Sequence, residues 1–313
     1  MAEPRIGVVG ATGAVGKVTL ELLAGRGFGQ VRAFASERSA GSTLPYGEGE
    51  LVVEEASADT LGSDLDLCFF SVGTAQSAEL VPAAAAGGAV CVDKSSAFRL
   101  TEGVPLVVPE VNGDRAAEHE GIVANPNCST IQLVCALAPL HEAAGLRSVR
   151  IATYQSVSGA GVERMEQLRA QQPAAGNVVM DWEFDGDESD EESKLRAETR
   201  KIMELPDLPL SATCVRVPVL IGHSQAVWIE TERALSPDEA REALAAAPSV
   251  RLTDLPTPRD AVGGDDVLVG RIRRDTAGTG LAFWVVCDNL RKGAALNAIQ
   301  IAELLLARQA LAA

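Results

Sequence analysis

An apolar run, Arg5–Val9, leads directly into Gly10-Ala11-Thr12-Gly13-Ala14-Val15-Gly16, and a helical pattern over residues 15–24 follows at once. No other feature constrains the chain as much. Glycines spaced Gly-x-x-Gly-x-x-Gly between a strand and a helix permit a sharp turn and let a ligand approach the backbone closely. The helix start then offers unpaired N–H groups and the positive end of its dipole to an anion. The strand–loop–helix context separates a dinucleotide fingerprint from a chance glycine triplet. The segment therefore predicts pyrophosphate binding by Gly10, Thr12, Gly13, Ala14, Val15 and Gly16.

The alternation continues through the first half. Strand-like runs fall at Gln30–Ala35 and residues 51–54, 65–71 and 89–93, with a helical pattern over 75–86 and short β runs at 104–108 and 121–124. Alternating strands and helices imply right-handed βαβ units and a doubly wound parallel sheet. The second half is richer in long β runs, at 149–156, 212–220, 226–231, 268–275 and 281–288. They predict one open sheet with mainly antiparallel pairing. Helices are predicted over 130–144, 162–171, 193–204 and Pro237–Ala246, and a long apolar-striped helix over 293–313. The acidic stretch 181–192 reads as a solvated surface loop. The predicted fold class is α/β: a doubly wound parallel-sheet dinucleotide-binding domain plus an α+β domain with a mixed open sheet.

At 313 residues the chain can build two domains. Its net charge of -16 and 4% aromatic content argue against a nucleic-acid partner. No apolar run approaches the ~20 residues that span a bilayer. The start MAEPRIGVVG carries no leader pattern, so a cytoplasmic protein without a membrane partner is expected. The six cysteines are scattered without a CxxC pair, which predicts reduced thiols.

One cysteine has different surroundings. Most sit in apolar runs such as LDLCFFSV, whereas Cys128 lies in Asn125-Pro126-Asn127-Cys128-Ser129-Thr130, between a short strand and a helix. A helix N-terminus favours the thiolate, which is the nucleophilic form. N–H groups at the start of that helix, around Ser129, are candidate oxyanion donors. A cysteine nucleophile benefits from a base, and histidine is the natural one. His119 lies in a polar, surface-like stretch and His141 near a helix end, so neither is given a catalytic role. His223, in Val219-Leu220-Ile221-Gly222-His223-Ser224 between two strand runs, is the candidate.

The end of the second strand should meet the adenosine ribose. An acid there binds the 2′-hydroxyl of NAD, and an arginine accommodates the 2′-phosphate of NADP. Glu37 and Arg38 are both available, and the hydroxyls of Ser36 and Ser39 suit a phosphate. NADP is the expected cofactor, held there by Ser36, Arg38 and Ser39.

At residues 125–132 and 216–224 the sequence resembles the aspartate-β-semialdehyde dehydrogenases. The likeness covers essentially the whole chain: GATGAVG, FASERSAG, DKSSAFR, VVPEVN, NPNCSTIQ, YQSVSGAG, KLRAETRKI, TCVRVPVLIGHS and DNLRKGAALNAIQIAE. The resemblance implies NADPH-dependent reduction of L-aspartyl 4-phosphate to L-aspartate 4-semialdehyde with release of phosphate, in lysine, threonine, methionine and diaminopimelate synthesis. It implies a homodimer or a dimer of dimers. Residues 1–128 with 293–313 would bind NADP, and 129–292 would carry catalysis and dimerisation. Cys128 would be the acylated nucleophile and His223 the acid/base group. Gln155 would orient the acyl group, Arg216 would hold the substrate carboxylate and Glu191 its amine. Glu188 or Glu192 could take the place of Glu191. Arg99, Asn127 and Lys194 would hold the phosphate. Ser71, Gly73, Ser158, Gly159 and Asn289 would add cofactor contacts, and no residue is assigned to a metal. The sequence departs from the family pattern at Phe70-Ser71-Val72-Gly73-Thr74 and at Lys94, and the segment after Gly161 is shorter than usual.

Overall fold

A computed structural model describes residues 3–173 and 175–312. The chain divides into two compact units, Met1–Pro126 with Ala294–Ala313, and Asn127–Gly293. Among the described residues, no helix is long and apolar enough to cross a membrane.

The first unit is built on seven strands: β1 (Arg5–Val9), β2 (Gln30–Ala35), β3 (Thr43–Tyr46), β4 (Gly49–Glu55), β5 (Leu67–Phe70), β6 (Val90–Asp93) and β7 (Ile122–Ala124). Their order is β3-β4-β2-β1-β5-β6-β7. Every pairing is parallel except β3 with β4. Helices α1 (Ala14–Ala24), α2 (Ala58–Leu61), α3 (Thr74–Ala86) and α4 (Pro109–Asn112) and the C-terminal helix Leu296–Ala312 complete it. Strands buried on both faces read as near-continuous apolar runs, and β5, LCFF, is buried at every position. The C-terminal helix sets Leu296, Ile299 and Ile301 into the same core as Ile6, Val8 and Phe69. β2 and β5 flank β1 on opposite sides. The chain thus switches direction at β1, where ligands bind in open α/β sheets.

Two local readings differ from the structure here. The β3–β4 hairpin was not expected, because Pro45 weakens the strand signal. Pro45 is tolerated because β3 is an edge strand. The apolar run 104–108 forms only an isolated bridge, Leu106 to Ala124. Pro105 removes a backbone donor from it, and Pro109 starts a helix directly after it.

The second unit centres on a six-stranded sheet of β8 (Leu146–Gln155), β11 (Leu210–Arg216), β12 (His223–Thr231), β13 (Val250–Leu252), β14 (Val267–Arg274) and β15 (Leu281–Cys287), ordered β11-β8-β12-β15-β14-β13. Its core is antiparallel, but β11 joins β8 in parallel and β13 joins β14 in parallel. The sheet is mixed because helical segments separate each parallel pair, as parallel pairing requires. The helices are α5 (Cys128–Ala144), α6 (Val162–Arg169), α7 (Asp190–Ile202), α8 (Pro237–Ala246) and α9 (Pro258–Ala261). Burial alternates along β8, so one face of the sheet is covered. The other face leaves Tyr154 exposed beside Trp284, with ring centroids 5.4 Å apart.

The acidic stretch 181–192 is solvated over residues 183–187, as expected, but it is not a loop throughout. It forms a hairpin of β9 (Phe184–Asp185) and β10 (Glu188–Ser189) and then opens α7. Ser189 accepts from the Glu192 N–H, and the Glu192 carboxylate accepts from the Ser189 N–H. Acids in a first helical turn complement the dipole, so the end of the charge run, Asp190, Glu191 and Glu192, is a helix start.

Candidate active site

Cys128 is the first residue of α5. Asn127 caps that helix, its Oδ1 accepting from the Ser129 N–H at 2.7 Å. This corrects the expectation of an oxyanion donor at Ser129, since the N-cap side chain already takes that N–H. Cys128 is partly exposed, whereas the other five cysteines are buried. Burial pushes the Cys214 thiol up to about 12 and raises Cys287 as well. A side chain on Gly293 would come within 3.1 Å of the Cys128 Cβ, so a glycine there leaves the thiol room.

Asn127 also links Cys128 to the sheet. Its Nδ2 donates to Glu191 Oε1 at 3.0 Å, and Gln155 Nε2 donates to the same oxygen at 2.8 Å. The Asn127 N–H donates to Glu198 Oε2 at 2.7 Å. Glu191 and Glu198 lie two turns apart on one face of α7, and Lys194 stands between them at i+3 from Glu191. Lys194 pairs with Asp190. Glu192 is committed to the Ser189 and Cys214 N–H groups, and Glu188 pairs with Arg196. Of the three acids considered, Glu191 is the one in contact with Asn127 and Gln155.

Gln155 and Arg216 are register partners at the ends of β8 and β11, and His223 opens the neighbouring β12. Ser156, just beyond Gln155, joins them. Its N–H donates to His223 Nδ1 at 3.0 Å, and its carbonyl accepts from Arg216 Nη1 at 3.1 Å. Gln225 ties β12 to α5, donating to the Ser129 carbonyl at 2.8 Å. Cys287 is the register partner of His223.

His223 is fully buried. Burial, and then the Arg216 charge, lower its pKa to about 3. The ring is therefore neutral at pH 7. Because Nδ1 accepts a backbone N–H, the proton of the neutral ring sits on Nε2. Nε2 has no hydrogen-bond partner among the described residues. A Cβ on Gly159 would lie 3.2 Å from it and 3.4 Å from Arg216 Nη1. Ser158 and Asn289 form a buried cluster with Ser156: Asn289 Oδ1 accepts from Ser156, Ser158 and the Gly222 N–H. His119 and His141 also accept backbone N–H groups through Nδ1, from Gly121 and Leu146.

In the first unit, Gly10 has φ +83. A Cβ there would lie 2.4 Å from the Ser71 carbonyl, and one on Gly16 would lie 2.2 Å from the Gly10 carbonyl. Only glycine fits at either position. α1 starts after Gly13 with no side-chain cap, and α3 starts after Gly73. This uncapped helix start behind a glycine loop fits a pyrophosphate. Ser36, Glu37 and Arg38, exposed, and Ser39, half-buried, form a turn at the end of β2. Arg99 is buried, donating to the Asn125 and Lys94 carbonyls. Among the described residues, no group of three His, Cys, Asp or Glu could hold a metal ion.

Sequence reading missed Ser156, Glu198, Gln225 and Asp181, the last of which pairs with Arg216. Glu198 carried a signal, its helical spacing from Glu191. The others are set by strand register, which the sequence does not display.

Comparison with known proteins agrees with both units. Residues 5–119 match the family described as "Semialdehyde dehydrogenase, NAD binding domain", and residues 137–292 match "Semialdehyde dehydrogenase, dimerisation domain". The chain is 44% identical to an aspartate-semialdehyde dehydrogenase of Aquifex aeolicus, over 96% of this chain and 97% of that protein. It is 43% identical to one of Bacillus subtilis, over 96% of each. Among solved structures, aspartate semialdehyde dehydrogenase II of Vibrio cholerae complexed with ASA superposes with a TM-score of 0.92 at 39% identity, covering 98% of this chain and 99% of that one. The enzyme of Candida albicans with NADP gives a TM-score of 0.80 at 28% identity, covering 98% and 99%. The chain belongs to the aspartate-semialdehyde dehydrogenase family, oxidoreductases with a nicotinamide dinucleotide-binding domain.

Proposed function

We propose that the chain catalyses the reversible NADPH-dependent reduction of L-aspartyl 4-phosphate to L-aspartate 4-semialdehyde, with release of phosphate, through a thioester on Cys128. In this reading it is a cytoplasmic homodimer serving lysine, threonine, methionine and diaminopimelate synthesis. The first unit, 1–126 with 294–313, binds NADP, and the second, 127–293, carries catalysis and dimerisation, so the boundary expected at 128/129 falls two residues earlier and keeps Asn127 and Cys128 with the catalytic residues. The observation that carries the reading is the connected set Cys128–Asn127–Glu191–Gln155 and Ser156–His223–Arg216, with a partly exposed thiol at a helix start. The exposed face of the second unit's sheet, with Tyr154 and Trp284, supports a partner copy.

The chemistry follows from these groups. The Cys128 thiolate attacks the acyl carbon, a C–S bond forms, and the bond to phosphate oxygen breaks with its electrons leaving on phosphate. Arg216 holds the substrate carboxylate through its planar fork, Glu191 takes the amine, and Arg99, Asn127 and Lys194 take the phosphate. When bound, the reduced nicotinamide supplies the hydride that turns the thioester into the aldehyde. His223 presents Nε2–H as a donor in the resting enzyme. To accept the thiol proton at Nε2, the ring must first release its Nε2 proton to active-site water and take one up at Nδ1, giving up the Ser156 N–H bond and donating instead to Ser156 Oγ at 3.0 Å. Ser156 thus serves both tautomers. Ser71, Gly73, Ser158, Gly159 and Asn289 complete the cofactor contacts.

The test is a spectrophotometric assay: aspartate semialdehyde should reduce NADP only when phosphate is present. Lys194→Ala or Arg99→Ala should raise the KM for phosphate about tenfold and the KM for the aldehyde less, the loss of one charged hydrogen bond. Unchanged phosphate kinetics in both variants would remove them from the anion site.

The preference for NADP rests on the exposed turn at the end of β2. Arg38→Ala should weaken NADP binding about fivefold or more and NAD binding hardly at all, read by fluorescence titration. Equal losses, or a native preference for NAD, would assign the choice to Glu37. The Candida albicans relative was solved with NADP.

A further inference from the structure

We propose that Asp181 is a specificity-determining residue that limits how strongly Arg216 can hold a substrate carboxylate. The proposal rests on the reading of Arg216 as the carboxylate-binding group and concerns what already occupies it.

Arg216 Nε donates to Asp181, 3.0 Å from Oδ1 and 3.3 Å from Oδ2. Nη1 donates to the Ser156 carbonyl at 3.1 Å. The guanidinium carbon lies 4.9 Å from the centre of the Trp182 ring. A guanidinium receives a carboxylate best as two parallel hydrogen bonds along one edge. Arg216 offers a substrate two such edges, Nε with Nη2 and Nη1 with Nη2. Asp181 takes Nε of the first, and the second shares Nη1 with the Ser156 carbonyl.

Asp181 is held there by backbone. Val179 and Arg216 exchange both N–H···O bonds, at 3.0 and 2.8 Å, which fixes the segment leading to Asp181 against the end of β11. Arg164 Nη2 approaches the Asp181 carboxylate from α6 at 3.6 Å. The protein therefore places its own carboxylate beside the arginine that must take the substrate's. The two acids repel and compete for one guanidinium. Arg216 keeps its place without Asp181, because the Ser156 carbonyl and the Trp182 ring hold it from other sides. Asp181 then weakens the grip on the α-carboxylate and narrows the preference for aldehydes that carry one.

The experiment compares wild type with Asp181→Asn, which keeps the shape and removes the charge. Substrates are aspartate semialdehyde and 3-aminopropanal, its analogue without the carboxylate, each with NADP and phosphate. The KM for aspartate semialdehyde should fall about five- to tenfold, with kcat within about twofold, the size of a carboxylate repulsion in a partly solvated site. The KM for 3-aminopropanal should change by less than about twofold. Calorimetric titration with succinate should show the same tightening, and the gain should vanish when Arg216→Ala is added. An unchanged or raised KM, equal shifts for both aldehydes, or a succinate gain that survives Arg216→Ala would overturn the proposal. If the wild type does not turn over aspartate semialdehyde, the functional reading fails, and the succinate titration alone decides the role of Asp181.

Discussion

Replacing Cys128 by alanine should abolish turnover, by about 10⁴-fold or more, while NADP binding stays intact. The size of the effect follows from what the nucleophile does. In the proposed mechanism, without a thiol there is no thioester and no route from acyl phosphate to aldehyde. The other five cysteines are buried, away from a substrate. Burial raises Cys214 and Cys287, and the neighbouring Cys68 thiol, followed by burial, raises Cys91. A thiol so raised stays protonated at neutral pH and attacks poorly. Cys128→Ser should be nearly as inactive, because an alcohol is far less ionised than a thiol. The cofactor loop at residues 10–16 belongs to the first unit and is untouched, so fluorescence titration should show unchanged NADP affinity in both variants. Wild type quenched with aspartyl phosphate and no NADPH should carry an acyl adduct on Cys128 by mass spectrometry. An adduct on Cys135 instead, or an active Cys128→Ala variant, would overturn the mechanism.

What the sequence displays depends on how local the cause is. The glycine loop is legible because its causes lie within seven residues: a strand before, a helix after and a steric need for glycine between. Cys128 is legible for the same reason, since Asn127 is both its neighbour and its helix cap. The strands of the first unit are legible as apolar runs, and Pro237–Ala246 by its capping box. The parallel pairing of β11 with β8 is not, because register is a long-range property. Asp181 and Ser156 share that limit. Asp181 meets Arg216 from 35 residues away and Ser156 meets His223 from 67. A run of acids looks the same in a solvated loop and at a helix start. Only the spacing of Ser189 and Glu192 as a capping box distinguishes them.

His223→Asn should lower kcat by about 10²–10⁴-fold, the usual worth of acid–base help, while the KM for aspartate semialdehyde changes little. The loss is smaller than for Cys128 because the nucleophile and the substrate contacts remain. A second signature comes from the burial of the ring. In the folded protein, burial first and the Arg216 charge second hold the His223 pKa at about 3, against 6.5 for a free histidine. As pH falls below 6.5 the unfolded chain takes up this proton, while the folded one stays neutral until about pH 3. The unfolded state then binds more protons, so stability falls with falling pH across that window and is unaffected by this group above it. One proton is worth about 1.4 kcal/mol per pH unit. Chemical denaturation of the apoprotein between pH 6 and pH 4 should therefore show a shallower loss of stability in His223→Asn than in wild type, by about 1.4 kcal/mol per unit. The Ser156 contact adds a direct check. Nitrogen-15 NMR at pH 7 should find the His223 proton on Nε2, because a proton on Nδ1 would face the Ser156 N–H. Equal slopes in the two proteins would show that the ring is not held neutral. A resting proton on Nδ1 would show that Ser156 does not set the tautomer.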